Sequence, residues 1–172
     1  MQNIPAISLF SGAMGLDLGV EDAGFDVRAC VENNRLACET IRRNTGKKVF
    51  EGDLRHIPTD VLLGESEIEK ESDFLLVGGP PCQSFSTAGK RGGAHDTRGN
   101  LVFEFFRVVK ESRPKYFIME NVRGLLYSVL NKPIDNAEVN DALFGLKGGL
   151  LYHLLHMYAA IGYEVSFNLF NS

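Results

Sequence analysis

The 172-residue sequence lacks the features that mark several common classes of protein. It has no excess of basic residues, since 18 lysines and arginines stand against 22 aspartates and glutamates and the formal net charge is −4. A protein that binds nucleic acid by itself is usually basic. If this chain binds a nucleic acid, we therefore expect another domain or protein to supply most of the affinity. There is no apolar run of about 18 residues and no basic start followed by a long apolar stretch, so we expect neither a membrane span nor a secretory signal.

The sequence contains only three cysteines, Cys30, Cys38 and Cys82. An odd count argues against a disulfide framework, and the absence of any CxxC spacing argues against a zinc site. Cys30 and Cys38 lie in apolar stretches and are interpreted as inert core residues. These features together predict a cytoplasmic protein that holds no metal.

Patterns of buried strands alternate with helical patterns along the whole chain, which we interpret as one domain over residues 1–172. This alternation predicts an α/β fold of the Rossmann-like kind, with a mostly parallel sheet and helices on both faces. In the second helix, Leu36, Ala37 and Ile41 should face the core after a cap at Asn33 or Asn34. The predicted strands are residues 4–10, 27–31, 49–50, 74–77, 116–119 and 163–170, and the helical stripes are residues 16–23, 36–43, 101–109 and 151–158.

The residues with chemical potential follow the predicted strands, at the point where each strand ends. In open sheets of this kind, ligands bind at the carboxyl ends of the strands. Five separate segments should therefore converge on one edge of the sheet. These are the turn at residues 12–15, Glu32, Asp53, the run at residues 80–82 and Glu120.

The turn after the first strand is rich in glycine but does not match the dinucleotide-binding fingerprint. Its pattern is Gly12-x-x-Gly15-x-x-x-Gly19 rather than G-x-G-x-x-G. Glu32 nevertheless lies 20 residues after Gly12, where a carboxylate binds ribose hydroxyls in nucleoside-binding sheets, and Asp53 could accept from an adenine amino group. A ribose-binding carboxylate without a pyrophosphate turn favours S-adenosylmethionine over NAD. The alternative, a tight turn beside a solvated glutamate, stays open on these residues alone.

Cys82 follows an unusual end to a buried strand. Gly78 and Gly79 are followed by Pro80 and Pro81, whose rings fix two backbone angles and restrict the position of the thiol. This setting favours a nucleophilic cysteine, which the site must hold as a thiolate to be efficient. The alternative is a buried structural cysteine in a turn.

Three stretches of sequence together resemble the cytosine-5 DNA methyltransferases. They are "LFSGAMGLDLG" (residues 9–19), "GGPPCQSFS" (78–86) and "ENVRGLL" (120–126), and "DTRGNLVFEFFRVV" (96–109) and "IGYEVSFNLF" (161–170) fit the same family spacing. The resemblance covers essentially the whole chain and implies a fold that binds S-adenosylmethionine. Two departures stand out: Met14 occupies a position that is usually glycine in the family, and the family's Gln-x-Arg-x-Arg segment and target-recognition domain are absent from residues 1–172. We therefore expect the domain to be incomplete, either truncated or one piece of a split enzyme.

The resemblance implies covalent catalysis on a cytosine flipped out of the duplex. Cys82 would add to carbon-6 of the base, Glu120 would bind ring nitrogen-3 and the amino group, and Asn121 would hold the cysteine loop. The loop after Cys82 would close over the base and contact double-stranded DNA through Gln83, Ser86, Lys90, Arg91 and Arg98. The implied cofactor contacts are Phe10, Ser11, Gly12, Ala13, Met14, Gly15, Glu32, Asn33, Asp53, Leu54, Pro80, Asn100 and Leu101.

Two other functions remain open at this point. A tRNA cytosine-5 methyltransferase shares the Pro-Pro-Cys and Glu-Asn-Val segments, and a non-catalytic subunit could keep the fold while regulating a partner. The presence of both Cys82 and Glu120 argues against the second. We expect the chain alone to bind S-adenosylmethionine weakly and to methylate nothing, with a second chain as one source of the missing target-recognition region.

Overall fold

The structure, a computed structural model, describes residues 3–81, 101–130 and 143–170. These residues belong to two compact units. Unit 1 comprises the described residues 3–81 and 101–120, and unit 2 comprises the described residues 121–130 and 143–170.

Unit 1 is built on a five-stranded sheet in which every pairing is parallel, with strand order β3-β2-β1-β4-β5. The order reverses between β1 and β4, and ligand crevices form at such a reversal in open α/β sheets. The predicted fold class is therefore confirmed. The strands are β1 (Ile4–Leu9), β2 (Phe25–Glu32), β3 (Lys48–Glu51), β4 (Leu75–Gly78) and β5 (Tyr116–Met119).

Four helices of unit 1 connect these strands, and a short 3₁₀ turn (Leu54–His56) follows β3. Three helices agree with the predicted stripes, while the seven-residue α3 carries no stripe long enough to predict it. The helices are α1 (Gly15–Asp22), α2 (Arg35–Asn44), α3 (Thr59–Glu65) and α4 (Leu101–Ser112).

The helix α2 begins at the predicted cap, and of its three predicted core residues Ile41 is buried, Ala37 is half-buried and Leu36 is exposed. Asn34 is the capping residue, and its side-chain oxygen accepts from the backbone N–H groups of Leu36 at 2.9 Å and Ala37 at 3.1 Å. Leu36 is 72% exposed, so its predicted place in the core is wrong. The buried residues of α2 are Cys38 and Ile41, which lie three positions apart and so share one face of the helix.

The core of unit 1 lies between the helices and the central strands. β4 is buried along its whole length, as expected for the middle of a parallel sheet that is covered on both faces. Arg107 of α4 joins that helix to the 3₁₀ turn after β3 and to the start of α3. It donates to the Leu54 carbonyl at 3.0 Å and to Thr59 Oγ1 at 3.1 Å. The ring of Phe105 meets that of Phe117 edge-on, with centroids 6.1 Å apart, which packs α4 against β5.

Unit 2 contains a 3₁₀ helix (Arg123–Tyr127) and the helix α5 (Gly149–Ala160). The backbone N–H of Gly148 donates to the backbone carbonyl of Ser128 at 3.1 Å, which joins the start of α5 to the end of the 3₁₀ helix. His153 and Tyr158 of α5 are buried, whereas the exposed His156 stacks on Tyr152 one turn earlier. Within the described ranges, no helix combines the length and apolarity needed to cross a membrane.

The predicted strand at residues 163–170 is wrong. The structure describes these residues and gives them no strand pairing. Their alternating apolar residues suit a strand, but a strand exists only where a neighbour accepts its backbone hydrogen bonds. Phe167, Leu169 and Phe170 are exposed instead, with Phe170 at 88%.

Candidate cofactor and active site

The turn between β1 and α1 adopts a backbone conformation that most residues avoid. Phe10, Gly12 and Met14 have positive φ angles of 59°, 54° and 70°. Glycine adopts this conformation freely, but the two larger residues are strained there by about 1–3 kcal/mol each. Such strain persists only when the surrounding structure fixes it, so the contacts around the turn are informative.

Two backbone hydrogen bonds fix the turn. The backbone N–H of Ser11 donates to the Val31 carbonyl at 3.2 Å, and the N–H of Met14 donates to the Ser11 carbonyl at 2.8 Å. The side chain of Met14 is only 4% exposed and packs into the core, which answers why a large residue is accepted where the family usually has glycine. Beyond the turn, the space beside Gly12 and Gly15 is open: a Cβ atom added to either would meet nothing within 4 Å.

Glu32, the last residue of β2, connects three turns at the carboxyl edge of the sheet. One carboxylate oxygen accepts from the backbone N–H of Gly12 at 2.7 Å, and the other accepts from the N–H of Asn34 at 2.7 Å. Its backbone carbonyl accepts from the N–H of Gly52, after β3, at 2.9 Å. The side chain is 9% exposed, so the alternative of a solvated glutamate is excluded. Each carboxylate oxygen has two lone pairs, and one on each remains for a ligand hydroxyl.

Asp53 follows β3 at the same edge and is already engaged by a cation. Its carboxylate accepts from the backbone N–H of Arg55 at 3.0 Å and from the Arg55 Nε at 2.9 Å. The hydrogen bonds from Arg55 lower the pKa of Asp53 to about 2, so the carboxylate stays ionised and remains an acceptor at neutral pH. Leu54, beside it, is 2% exposed and belongs to the core rather than to an open surface.

The glycines that end β4 are explained by close approaches on each side. A Cβ atom on Gly78 would lie 2.5 Å from the Leu9 carbonyl oxygen of β1, so only glycine fits. A Cβ atom on Gly79 would lie 3.0 Å from Oε2 of Glu120. The backbone N–H of Glu120 donates to the Gly78 carbonyl at 2.9 Å, which holds this residue at the end of β5. The Glu120 carboxylate therefore stands over Gly79, three residues before Cys82.

The structure brings together only part of the predicted site. Of the predicted residues, Glu32 and Gly12 meet at one point, where the N–H of Asn34 joins them. Glu120 lies against Gly79, which directly precedes the buried Pro80. Asn121 belongs to unit 2, where its side-chain oxygen accepts from the N–H of Val122 at 2.9 Å. Ala13 and Asn33 are exposed and Leu101 is half-buried, and the structure assigns no role to these three residues. The predicted residues Cys82, Gln83, Ser86, Lys90, Arg91, Arg98 and Asn100 lie outside the described residues.

Sequence reasoning missed Asp17, in the first turn of α1. Its side chain is 0% exposed, and neither carboxylate oxygen has a hydrogen-bond partner among the described residues. The signal was its spacing: Asp17 precedes the buried Val20 by three positions and so lies on the same face of the helix. Cys30 lies close to it in the core, where burial raises the pKa of the thiol to about 12, which keeps that cysteine protonated and unreactive as predicted.

The ranges that the structure describes contain no group of three or more histidine, cysteine, aspartate or glutamate side chains that could hold a metal ion. The described part of the site consists of carboxylates, backbone N–H groups and open space beside glycine.

Comparison with curated proteins finds bacterial relatives that are longer than this chain. Type II methyltransferase M.AquIA of Picosynechococcus sp. is 50% identical over 121 residues, which are 70% of this chain and 49% of that protein. Type II methyltransferase M.NgoPII of Neisseria gonorrhoeae is 38% identical over 167 residues, which are 96% of this chain and 42% of that protein. The chain spans less than half the length of these two relatives.

Solved structures show the same fold. A DNA modification methyltransferase encoded within a prophage of Escherichia coli has a TM-score of 0.65 and 28% identity, covering 92% of this chain and 38% of its own. A DNMT2 variant of Spodoptera frugiperda has a TM-score of 0.60 at 18% identity, which supports the fold alone. The family model described as C-5 cytosine-specific DNA methylase matches residues 4–172. Since this match covers nearly every residue, the chain belongs to the C-5 cytosine-specific DNA methylase family.

Proposed function

We propose that this chain forms the cofactor-binding and catalytic part of a DNA (cytosine-5)-methyltransferase that uses S-adenosylmethionine, with residues 1–172 as an incomplete catalytic domain. The observation that carries the proposal is the Glu120 carboxylate over Gly79, at the carboxyl end of β4. This is the edge of the sheet where the strand order reverses and where ligands bind. Family membership supplies the class of reaction.

The described residues fit S-adenosylmethionine. Glu32 keeps one free lone pair on each carboxylate oxygen for ribose hydroxyls, and the open space beside Gly12 and Gly15 leaves room for a ligand against the backbone. Asp53 remains ionised and accepts from an amino group such as that of adenine. When bound, S-adenosylmethionine supplies the electrophilic methyl group that carbon-5 of cytosine accepts.

The residues of the chain prepare the base for that transfer. The Cys82 thiolate forms a bond to carbon-6, which moves electron density to carbon-5 and makes that carbon nucleophilic. Glu120 binds ring nitrogen-3 and the amino group, where it stabilises the charge that thiolate addition creates. After methylation, a base removes the proton from carbon-5, the electron pair re-forms the ring double bond and the thiolate leaves carbon-6.

DNA is favoured over tRNA as the substrate because the relatives named above are Type II methyltransferases. The proposed partner is double-stranded DNA, with the target cytosine flipped out of the helix. Since the chain spans less than half of those relatives, we place the target-recognition region outside residues 1–172, in a continuation of the protein or in a second chain. The proposed location is the cytoplasm, on nucleoid DNA in a bacterium.

Transfer of labelled methyl groups by the protein that includes the target-recognition region tests this function. We expect 5-methylcytosine in duplex DNA and none in tRNA. Cys82→Ala should reduce the rate by roughly a factor of a thousand or more, because nucleophilic catalysis is lost. Cys38→Ala is the matched cysteine control and should retain transfer. Methylation of tRNA alone, or transfer that survives Cys82→Ala, would contradict the proposal.

A further inference from the structure

The buried carboxyl of Asp17 is the one acidic side chain of unit 1 described as fully buried and without a partner. A carboxyl group is costly to bury, and buried polar groups are nearly always hydrogen-bonded. An apolar side chain at this position of α1 would simply add to the core. The presence of a carboxyl therefore calls for a function beyond packing.

The groups that face Asp17 belong to the elements on either side of the β1–α1 turn. Ser8 of β1 faces the carboxyl and is 1% exposed, and Cys30 of β2 lies close to it and is 0% exposed. The hydroxyl of Ser11, inside the turn, donates to Ser8 Oγ at 2.9 Å and lies 3.3 Å from the Ser8 carbonyl oxygen. Ser8 Oγ accepts from Ser11, so its own proton is available to the Asp17 carboxyl.

The charged groups around Asp17 are few and already paired with each other. Glu21 lies one turn further along α1 and raises the pKa of Asp17, while Lys47 lowers it. Lys47 forms an ion pair with Glu21 and donates to the Val27 carbonyl at 2.8 Å. Burial is the largest effect, and it raises the pKa of the Asp17 carboxyl, which favours the neutral form.

The turn between β1 and α1 is strained, so contacts with buried side chains must hold it in place. Phe10 and Met14 hold positive φ angles on either side of Ser11, whose side chain reaches down to Ser8. Ser11 itself is 8% exposed and Ser8 is 1% exposed, so water does not take the place of these contacts. The hydrogen bond from Ser11 to Ser8 is therefore buried under the turn, and the Asp17 carboxyl faces Ser8 on the other side.

We propose that Asp17 is a positioning residue for the cofactor turn, acting through Ser8 and Ser11. In this role the Ser8 hydroxyl, whose proton is available, donates to the Asp17 carboxyl, which leaves the Ser8 oxygen as the acceptor for Ser11 and so holds the turn between Phe10 and Met14. The inference deepens the proposed function and rests on it only for the identity of the ligand. The position of the turn itself is a property of the ligand-free chain.

Amide hydrogen exchange of the 172-residue chain, with S-adenosylhomocysteine affinity as a second readout, tests this role. Asp17→Ala should speed exchange at the N–H groups of Gly12 and Met14 by roughly tenfold and weaken affinity by a similar factor, since the supporting hydrogen bond is lost. Asp17→Asn, which keeps the shape and a neutral acceptor, should restore both to within about threefold of the original. Val20→Ala is the matched control, because it removes buried volume from the same face of α1 without touching the polar chain.

Each outcome separates positioning from packing. Equal effects of Asp17→Ala and Val20→Ala on the turn would overturn the proposal, and so would failure of Asp17→Asn to restore it. A chain that shows the exchange pattern but does not bind S-adenosylhomocysteine would uphold the role of Asp17 and count against the proposed function instead. If all variants bind S-adenosylhomocysteine equally well and exchange at the turn is unchanged, the role of Asp17 is overturned and the proposed function is upheld.

Discussion

The two ends of the same sheet use acidic residues in opposite ways. At the carboxyl ends of the strands, the Glu32 carboxylate accepts from two backbone N–H groups, and each of its oxygens can accept a further hydrogen bond from a ligand. At the amino ends, Asp26 pairs with Arg28 at 3.0 Å and Glu65 pairs with Lys48, so each acid meets a cation at a largely exposed surface. An acid that is neutralised by a neighbouring cation stabilises the surface modestly, whereas an acid held by backbone donors organises turns and stays available to a ligand.

The largest contrast should come from removing one acid at each end. Glu32→Ala leaves the partly buried N–H groups of Gly12 and Asn34 without their acceptor and should lower the free energy of unfolding by about 2 kcal/mol. Affinity for S-adenosylhomocysteine should fall roughly a hundredfold, because the ribose acceptor and the turn geometry are lost together. Urea unfolding and calorimetric titration measure the two effects.

Glu65→Ala is the amino-end counterpart. Its partner Lys48 is half exposed, so the loss should be about 0.5 kcal/mol or less, with no change in affinity. Equal destabilisation by the two substitutions would break the comparison.

Next in size is a pair of glycine substitutions. Gly79→Ala places a Cβ atom 3.0 Å from Glu120 Oε2, so the carboxylate must move. We expect methyl transfer by the complete protein to fall roughly tenfold, since the carboxylate must shift by a few tenths of an ångström and a misplacement of about 1 Å at a catalytic group costs about a hundredfold. Cofactor affinity should change little, because Glu32 and its turns are untouched.

Gly64→Ala in α3 is the control for this pair. The space beside Gly64 is empty and its backbone is helical, so the substitution should stabilise the chain by about 0.5–1 kcal/mol without affecting transfer. A rate unchanged by Gly79→Ala would mean that Glu120 does not act from the position seen here.

A smaller effect concerns pH and Asp17. Its pKa is raised above the ordinary 3.8 by burial, so the folded state binds the proton more tightly than the unfolded state. The stabilising contribution is therefore complete below about 3.8 and is lost as the pH rises through the folded pKa.

Asp17→Asn, which does not titrate, should consequently be more stable than the original chain at pH 7, by about 1 kcal/mol. That advantage should shrink as the pH is lowered to 5. Urea unfolding at both pH values measures it, and an advantage that grows toward acid would contradict a raised pKa.

The smallest effect is expected at Asp53. It lies at the carboxyl end of the sheet but, like the acids at the amino end, it pairs with a cation. Its cation partner Arg55 lowers its pKa to about 2, so its contribution is present above 3.8 and is lost as the pH falls through about 2. Asp53→Asn should cost about 0.5 kcal/mol at pH 7, the usual value for a partly exposed pair. Thermal melts at pH 7 and pH 3 should show the original chain losing part of this advantage in acid.

Much of unit 1 was predictable because its signals are local. The strand ends at Glu32 and Gly78 and the cap at Asn34 follow from residue type and spacing alone. The convergence of Glu32 and Gly12 was predicted from parallel topology, which brings strand ends to one edge. The identity of the donors on Glu32 was not, since backbone N–H groups leave no trace in a sequence.

The errors share a physical cause, because they concern contacts between distant segments. Leu36 has the right spacing for a buried face, but the neighbouring strands decide which face is covered, and they cover Cys38 and Ile41. Residues 163–170 alternate like a strand but have no strand pairing. Asp17 was overlooked because a carboxyl is normally assigned to the surface.

The most direct test of the central claim is covalent trapping on duplex DNA that contains 5-fluorocytosine at the target base, with S-adenosylmethionine and the protein that includes the target-recognition region. Fluorine at carbon-5 cannot leave as a proton does, so the bond between the thiol and carbon-6 persists. The account predicts a protein–DNA adduct whose cross-linked peptide contains Cys82, and no adduct with Cys82→Ala. An adduct at another residue, or one that survives Cys82→Ala, would contradict it.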